Sequence, residues 1–216
     1  MAKLKEILYE PYQHWADRGT IWLFSDPHFE DSDCALMDPN WITPEEQVAL
    51  LNSYVGKHDT LIILGDIGNT KYIKRLKGYK VLIAGNHDAG LSNYKRRIWT
   101  EPLTDECAQR KHYLYKTDTE AHFDNKLFDE VYGGPIFIAE KILLSHEPIN
   151  YPCALNIHGH DHSRFYDAPN HYNVCANVMD YKPVRLSQLI DNGLLSNIET
   201  IHRMTIDKAT ERKKTK

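Results

Sequence analysis

Five short polar clusters follow apolar runs along this chain: Asp26-Pro27-His28, Gly65-Asp66-Ile67-Gly68-Asn69, Gly85-Asn86-His87-Asp88, Ser145-His146-Glu147-Pro148 and His158-Gly159-His160-Asp161-His162. One Asp-x-His pair says little, because the two residues fall that far apart by chance in many chains of this size. Five clusters in order say much more. The runs ahead of them, residues 20–24, 60–64, 80–84, 135–144 and 154–157, have strand length and are nearly continuous rather than alternating, which predicts strands covered on both faces. Residues 172–178 form a further run of this kind.

Helical patterns lie between the first strands. Thr43-Pro44-Glu45-Glu46 reads as a capping box with Pro at the first helical position, and Val48, Leu51 and Val55 follow on one face. A second helix is predicted from residue 69 or 70 to 77, with Ile73 and Leu76 inward and Gly78 as its C-terminal cap. Strand–helix alternation predicts right-handed βαβ units in an α/β fold, with chemistry at the carboxyl ends of the strands, where Asp26, His28, Asp66, Asn86 and His87 fall. Residues 135–144, broken at Ala139-Glu140-Lys141, read as a hairpin feeding His146, hence a second sheet.

At 216 residues the chain is expected to form a single domain, residues 1–216. Residues 89–134 are charged, aromatic and poor in aliphatic periodicity. Two readings stay open for them, a lid or insert over the site and an elaborated surface segment. Near the end, Ser196 and Glu199 have capping-box spacing, and the basic tail at 207–216 is expected to be disordered. The net charge of -4 argues against bulk capture of nucleic acid or an anionic membrane. Residues 1–19 hold no signal-peptide core and no stretch approaches a membrane span, so the expected location is cytoplasmic. Cys34, Cys107, Cys153 and Cys175 lie far apart with no C-x-x-C, which suits free thiols in a reducing compartment.

Six of the 12 histidines sit in the five clusters. Asp, Asn and His without cysteine select borderline to hard divalent ions, Mn, Fe, Zn, Ni or Co, and thiophilic sites are not expected. Seven or eight such groups are too many for one catalytic ion with an open position. They suit two ions bridged by a carboxylate, an arrangement that acidifies a shared water and holds the attacking and leaving oxygens of a displacement at phosphorus. The chemistry points to hydrolysis of a phosphate ester.

The order D-x-H, G-D, G-N-H-D, H-x-P and G-H-x-H from Asp26 to His162 resembles the calcineurin-like metallophosphoesterases. Residues 172–190 are similar to the closing strand and helix of the small stand-alone bacterial and phage branch of that family. The resemblance implies a fold of two stacked mixed sheets flanked by helices, in four αββα layers. It implies that Asp26, His28 and His162 bind one ion and Asn86, His146 and His160 the other, with Asp66 bridging, Mn favoured as the metal, and a bridging hydroxide as nucleophile. It further implies that His87 protonates the leaving alkoxide or steadies phosphoryl oxygens, with Asp88 orienting it; Asp88 reads equally as a turn residue next to Gly90. His158 is expected behind the ligands or packed inside its strand.

Phosphoprotein phosphatases of this superfamily carry G-D-x-H-G, G-D-x-x-D-R-G and G-N-H-E, where this chain has Ser25-Asp26-Pro27-His28-Phe29, Gly65 to Asn69 and Gly85 to Asp88. Protein dephosphorylation is therefore not expected, and the arginine that holds a phosphate dianion is missing. Arg164, Lys95, Arg96 and Arg97 are candidate substitutes. The expected substrate is small and phosphorylated, nucleotide-like, with a diester slightly favoured because a monoanion needs less charge compensation. A nuclease would want a basic groove, for which Lys71, Lys74, Arg75, Lys77 and Lys80 are the dense patch. A non-catalytic binding module would be expected to have lost ligands, and none is lost. No pattern sets the oligomeric state.

Overall fold

The apolar runs become strands. In the computed structural model, which describes residues 2–90, 127–163 and 168–214, β1 (Ile21–Phe24), β2 (Thr60–Ile63), β3 (Tyr79–Ile83) and β4 (Glu130–Tyr132) lie parallel in one sheet. A second sheet holds β5 (Ile136–Ala139), β6 (Ile142–Leu144), β7 (Leu155–His158) and β8 (His171–Asn173), with an antiparallel β5-β6 hairpin and parallel pairs beyond it. The two-residue β9 (Val184–Arg185) returns antiparallel to β1, so the orders are β4-β3-β2-β1-β9 and β5-β6-β7-β8. This is the α/β arrangement of two mixed sheets with flanking helices that the resemblance implies.

Alternation within each buried strand decides what packs where. Ile21 and Leu23 of β1, Ile62 of β2, and Val81 and Ile83 of β3 pack with Ile136, Ile138, Ile142, Leu144, Leu155 and Ile157, which makes the core between the sheets. Trp22, Phe24, Leu61, Ile63 and Leu82 face the other way, onto Val48, Leu51, Val55, Ile73 and Leu76. Burying such side chains stabilises the fold by about 1.5–3 kcal/mol each. Both faces of β1 to β3 are therefore covered, which is why those runs read as continuously apolar.

The helices are short: α1 (Ala2–Ile7), α2 (Gln13–Arg18), α3 (Ser32–Met37), α4 (Pro44–Tyr54), α5 (Leu186–Asp191) and α6 (Ile201–Lys214). The capping box on α4 is present, with the Thr43 hydroxyl accepting from the Glu46 N–H and the Glu46 carboxylate accepting from the Thr43 N–H. Several expectations are corrected. The segment after Asn69 is a 3-10 helix, Thr70–Arg75, that ends at Leu76, and Gly78 serves the turn into β3 instead of capping it. The tail read as disordered from 207 is helical as far as Lys214, because its Ala, Glu, Lys and Arg are good helix formers and Arg203 pairs with Asp207 one turn on. Its cap is Thr200, whose hydroxyl accepts from the Arg203 N–H, whereas the Ser196 hydroxyl donates to the Gly193 carbonyl.

The stretch 89–134 ends in the main sheet, since Glu130–Tyr132 is its edge strand. Residues 91–126 lie outside the described residues. The Glu130 carboxylate accepts from Trp15 Nε1 (2.9 Å), Tyr79 OH (2.8 Å) and Tyr132 OH (2.6 Å) and meets the His14 ring, tying α2 to two strands. Burial opposes its ionisation, but the Tyr132, Trp15, His14 and Tyr79 donors outweigh it and hold the carboxyl below its ordinary range. Its stabilisation is thus present above the ordinary carboxylate range and lost as pH falls through the lower folded value. Glu130→Gln should cost about 1–3 kcal/mol at neutral pH, and denaturant unfolding should show the gap to wild type shrinking on acidification.

Candidate metal centre

The five clusters meet at the carboxyl ends of β1, β2 and β3 and beside β6 and β7. Sharp turns put them there. Asp26 (φ 54°), His28 (φ 40°), Asp66 (φ 52°) and His160 (φ 64°) all take left-handed backbone, a conformation that Asp and His adopt more readily than most side chains. Gly85 and Gly159 permit the close approach of their loops: a Cβ on Gly85 would strike Asp66 Oδ1, and one on Gly159 would strike Ser25 Oγ and Asp26 Oδ2.

The two carboxylates divide their oxygens. Asp26 Oδ2 accepts from the His160 N–H (2.9 Å), Cys175 Sγ (3.1 Å) and the Ser25 hydroxyl, while Asp26 Oδ1 is buried with no hydrogen-bond partner. Two imidazole nitrogens face that bare oxygen, His28 Nε2 at 3.8 Å and His162 Nε2 at 3.7 Å. Asp66 Oδ1 accepts from the His87 N–H at 3.0 Å, and Asp66 Oδ2 lies between His28 Nε2 (3.6 Å) and His146 Nε2 (3.3 Å). His28 Nε2 is likewise buried and unpartnered.

Each of three histidines has its other nitrogen occupied, which fixes the ring. His28 Nδ1 donates to Asp31 Oδ2 (3.2 Å), His146 Nδ1 to the Leu64 carbonyl (2.7 Å) and His162 Nδ1 to Asn177 Oδ1 (3.1 Å), so all three turn Nε2 inward. His160 presents Nδ1, 3.1 Å from both Asn86 Oδ1 and His146 Nε2. Asn86 Oδ1 is 2.8 Å from His146 Nε2. Asp26, Asp66, His28 and His146 are buried at 2%, 2%, 5% and 5% exposure, whereas Asn86, His87 and His160 are exposed, so the pocket has a buried floor and an open rim.

Burial pushes the Asp26 carboxyl up, but contacts with His28, His146, Ser25 and the His160 N–H more than offset it and hold Asp26 at about 2. Burial likewise disfavours a charged His146, yet Asp66, Asp26 and the Leu64 carbonyl raise it to about 9. The carboxylates thus draw positive charge into the pocket. Two orphaned buried atoms aimed into a set of carboxylate, imidazole and amide donors fit a divalent cation. The donor atoms of Asp26, His28 and Asp66 lie within 4.8 Å of one another, as do those of Asp66, His146 and His160.

All seven residues expected as ligands therefore converge. His87 stands at the rim, exposed, with its ring edge-to-face on His28 at 5.7 Å between centroids. Of the two readings of Asp88, the contacts favour the turn residue. Its buried carboxylate accepts from the Gly85 (2.7 Å), Asp66 (2.9 Å) and Ile67 (3.0 Å) N–H groups, locking the Asp66 turn to the Asn86 turn. His158 is buried within β7, its ring edge-to-face with His171. Arg164, Lys95, Arg96 and Arg97 lie outside the described residues.

Sequence reasoning missed Asp31 and Asn177. Asp31 caps α3, accepting from the Asp33 and Cys34 N–H groups, and an Asp just ahead of a helix start is a signal that could have found it. Nothing in the sequence marks Asn177. The ligand atoms of His28, Cys34 and His162 also lie within 4.8 Å of one another, so a thiol stands beside the oxygen and nitrogen donors. Burial, with the Asp31 and Asp26 carboxylates, pushes the Cys34 thiol up to about 12. A cavity of about 320 Å³ lined by Asp26, Cys34, Trp41, His162, Asn177 and Tyr181 opens at this end of the pocket. Another of about 210 Å³, lined by Gly85, Asn86, Gly133, Gly134, His146 and Glu147, opens at the other.

A family model for calcineurin-like phosphoesterases matches residues 19–169. Among solved structures, a protein of unknown function from Aquifex aeolicus matches with a TM-score of 0.53 at 23% identity, over 80% of this chain and 98% of its own, and shares the fold. The nuclease MPE of Pseudomonas putida matches at 24% identity over 69% of this chain and 64% of its own, with a TM-score of 0.39. No curated protein matches the chain.

Replacing Asp88 tests its role. Asp88→Ala strands three backbone donors and should destabilise the metal-free protein by about 3 kcal/mol or more, with Asp88→Asn losing less. Chemical denaturation measures this, and a residue that only oriented His87 would leave stability unchanged.

Proposed function

Since the chain belongs to the calcineurin-like phosphoesterases, a family of metal-dependent hydrolases of phosphate esters, we propose that it cleaves a small phosphodiester in preference to a monoester, using two divalent cations. The observation that carries this reading is Asp66 Oδ2 set between His28 Nε2 and His146 Nε2, 3.6 and 3.3 Å away. In this reading Asp26, His28 and His162 hold one cation, Asn86, His146 and His160 the other, and Asp66 bridges them. Mn, Fe, Zn, Ni and Co all suit such nitrogen and oxygen donors, and Mn is the favoured choice. When bound, the cations supply an activated water and charge neutralisation at the phosphoryl oxygens.

The chain's own groups do the rest. Asp31, the Leu64 carbonyl and Asn177 hold three imidazoles with Nε2 inward, so the pocket is ordered before any substrate arrives. His87, exposed at the rim, is the group that protonates the leaving alkoxide or steadies a phosphoryl oxygen. The cavity on the His162 side has room for one substituent of the ester, and the cavity on the His146 side for the other.

Charge placement favours a small substrate over a nucleic acid strand. Lys71 pairs with Glu30, Arg75 lies 3.6 Å from Glu45, and the Lys77 ammonium donates to the Asn52 carbonyl, so much of the basic patch is already engaged. A nuclease remains the second reading, and oligonucleotide affinity that falls steeply with salt would favour it. No described helix is long and apolar enough to cross a membrane. A reducing cytoplasmic location suits the buried thiols of Cys34 and Cys175.

With Mn added, a chromogenic diester should turn over faster than the matching monoester, and the reverse ratio would overturn the diester preference. Asp66→Ala should lose both bound metal and turnover. His87→Ala should keep two ions by elemental analysis while kcat falls about 10²–10⁴-fold, and loss of the metals in that variant would overturn its assignment.

A further inference from the structure

The two ends of the pocket differ in chemistry. At the His146 end the donors of Asp66, His146 and His160 are oxygen and nitrogen only. At the other end the ligand atoms of His28, Cys34 and His162 all lie within 4.8 Å of one another, and Cys34 shares its cavity with Asp26 and His162. His28, a member of this cluster, is 95% buried with Nε2 unpartnered, and the neighbouring Asp26 Oδ1 is unpartnered as well.

Asp31 holds two members of the cluster in register. Its Oδ1 accepts from the Cys34 N–H at 3.4 Å and its Oδ2 from His28 Nδ1 at 3.2 Å, so the first turn of α3 and the His28 ring are fixed by one carboxylate. Ligands of one tetrahedral ion, with metal–sulfur bonds of about 2.3 Å and metal–nitrogen bonds of about 2.0 Å, lie roughly 3.5 Å apart. From separations of no more than 4.8 Å the thiol reaches that spacing by a shift of about 1.3 Å or less, within the range of a χ1 adjustment.

We propose that Cys34 is a ligand of the cation at the Asp26–His28–His162 end, so that this end takes a softer divalent ion, of the Zn or Co kind, than the His146 end. The inference rests on the two-cation reading above. On binding, the Cys34 S–H proton leaves to solvent as the sulfur–metal bond forms, and the thiolate offsets one positive charge of the ion. Thiolate ligands select zinc-like ions over Mg or Mn, so the pair is predicted to be unlike: a thiophilic ion on the Cys34 side and a harder one opposite.

The test is a Co²⁺ titration of metal-free full-length protein, following sulfur-to-cobalt charge transfer in the near ultraviolet and counting bound ions by elemental analysis. Wild type and Cys175→Ser, which removes the other thiol beside Asp26, should show the charge-transfer band. Cys34→Ser should lack it, keep one ion, and bind the other at least about tenfold more weakly; Cys34→Ala repeats the measurement without a hydroxyl, and thermal unfolding checks that both variants fold. Two ions without the band, or a band that survives in Cys34→Ser, would overturn the role of Cys34 and leave the two-cation reading standing. One ion with a Cys34-dependent band would support Cys34 and overturn the pair. No bound ion would overturn both.

Discussion

Two carboxylates buried in one pocket set the terms for everything around them. Asp26 and Asp66 are each 2% exposed, and a buried ionised carboxylate without compensation is one of the costliest features a fold can carry. Compensation comes first from fixed dipoles and donors: the His160 N–H, Ser25 and Cys175 on Asp26, and the His87 N–H on Asp66. It comes next from the imidazoles, which is why His28 and His146 are raised above the usual histidine range. What these groups leave unsatisfied, Asp26 Oδ1 and His28 Nε2, points to the middle of the pocket. The sheet exists, in effect, to hold that mismatch in place.

Holding it requires backbone strain. Four donor residues adopt left-handed conformations at strand ends, each costing about 1 kcal/mol or more relative to ordinary backbone. The parallel registers of β1 with β2 and of β2 with β3 bring three strand ends level, and the Asp88 carboxylate then ties two of the turns together. Rigid strands supply the position and short irregular turns supply the direction of each side chain. Core packing on both faces of β1 to β3 provides the stability from which such turns can be sustained.

Much of this was legible in the sequence, and the reasons for the gaps are physical. β1, β2 and β3 announce themselves because burial on both faces makes a run continuously apolar. Strands β4 and β9 do not, because two or three residues carry no period, and Glu130 looks like a surface charge until His14, Trp15 and Tyr79 from distant segments are seen around it. The seven convergent donors are legible because each sits beside a strand end. Asp31 was missed although it lies three residues from His28, because its capping signal was not connected to the ring, and Asn177 because it reaches His162 from 15 residues away. Asp88 was legible only as two alternatives, a partner of His87 or a turn residue, and what separates them is the carboxylate's contacts with backbone N–H groups of two turns.

The saturation of Asp26 Oδ2 has a consequence for selectivity. With three donors already on that oxygen, the side chain can offer an incoming ion one atom and no more. Calcium draws six to eight oxygens and readily takes carboxylates through both. Here it would find a monodentate acid among imidazoles, a poor exchange for its water shell. One crowded oxygen thus withholds from this end of the pocket the bidentate contact on which calcium sites are built.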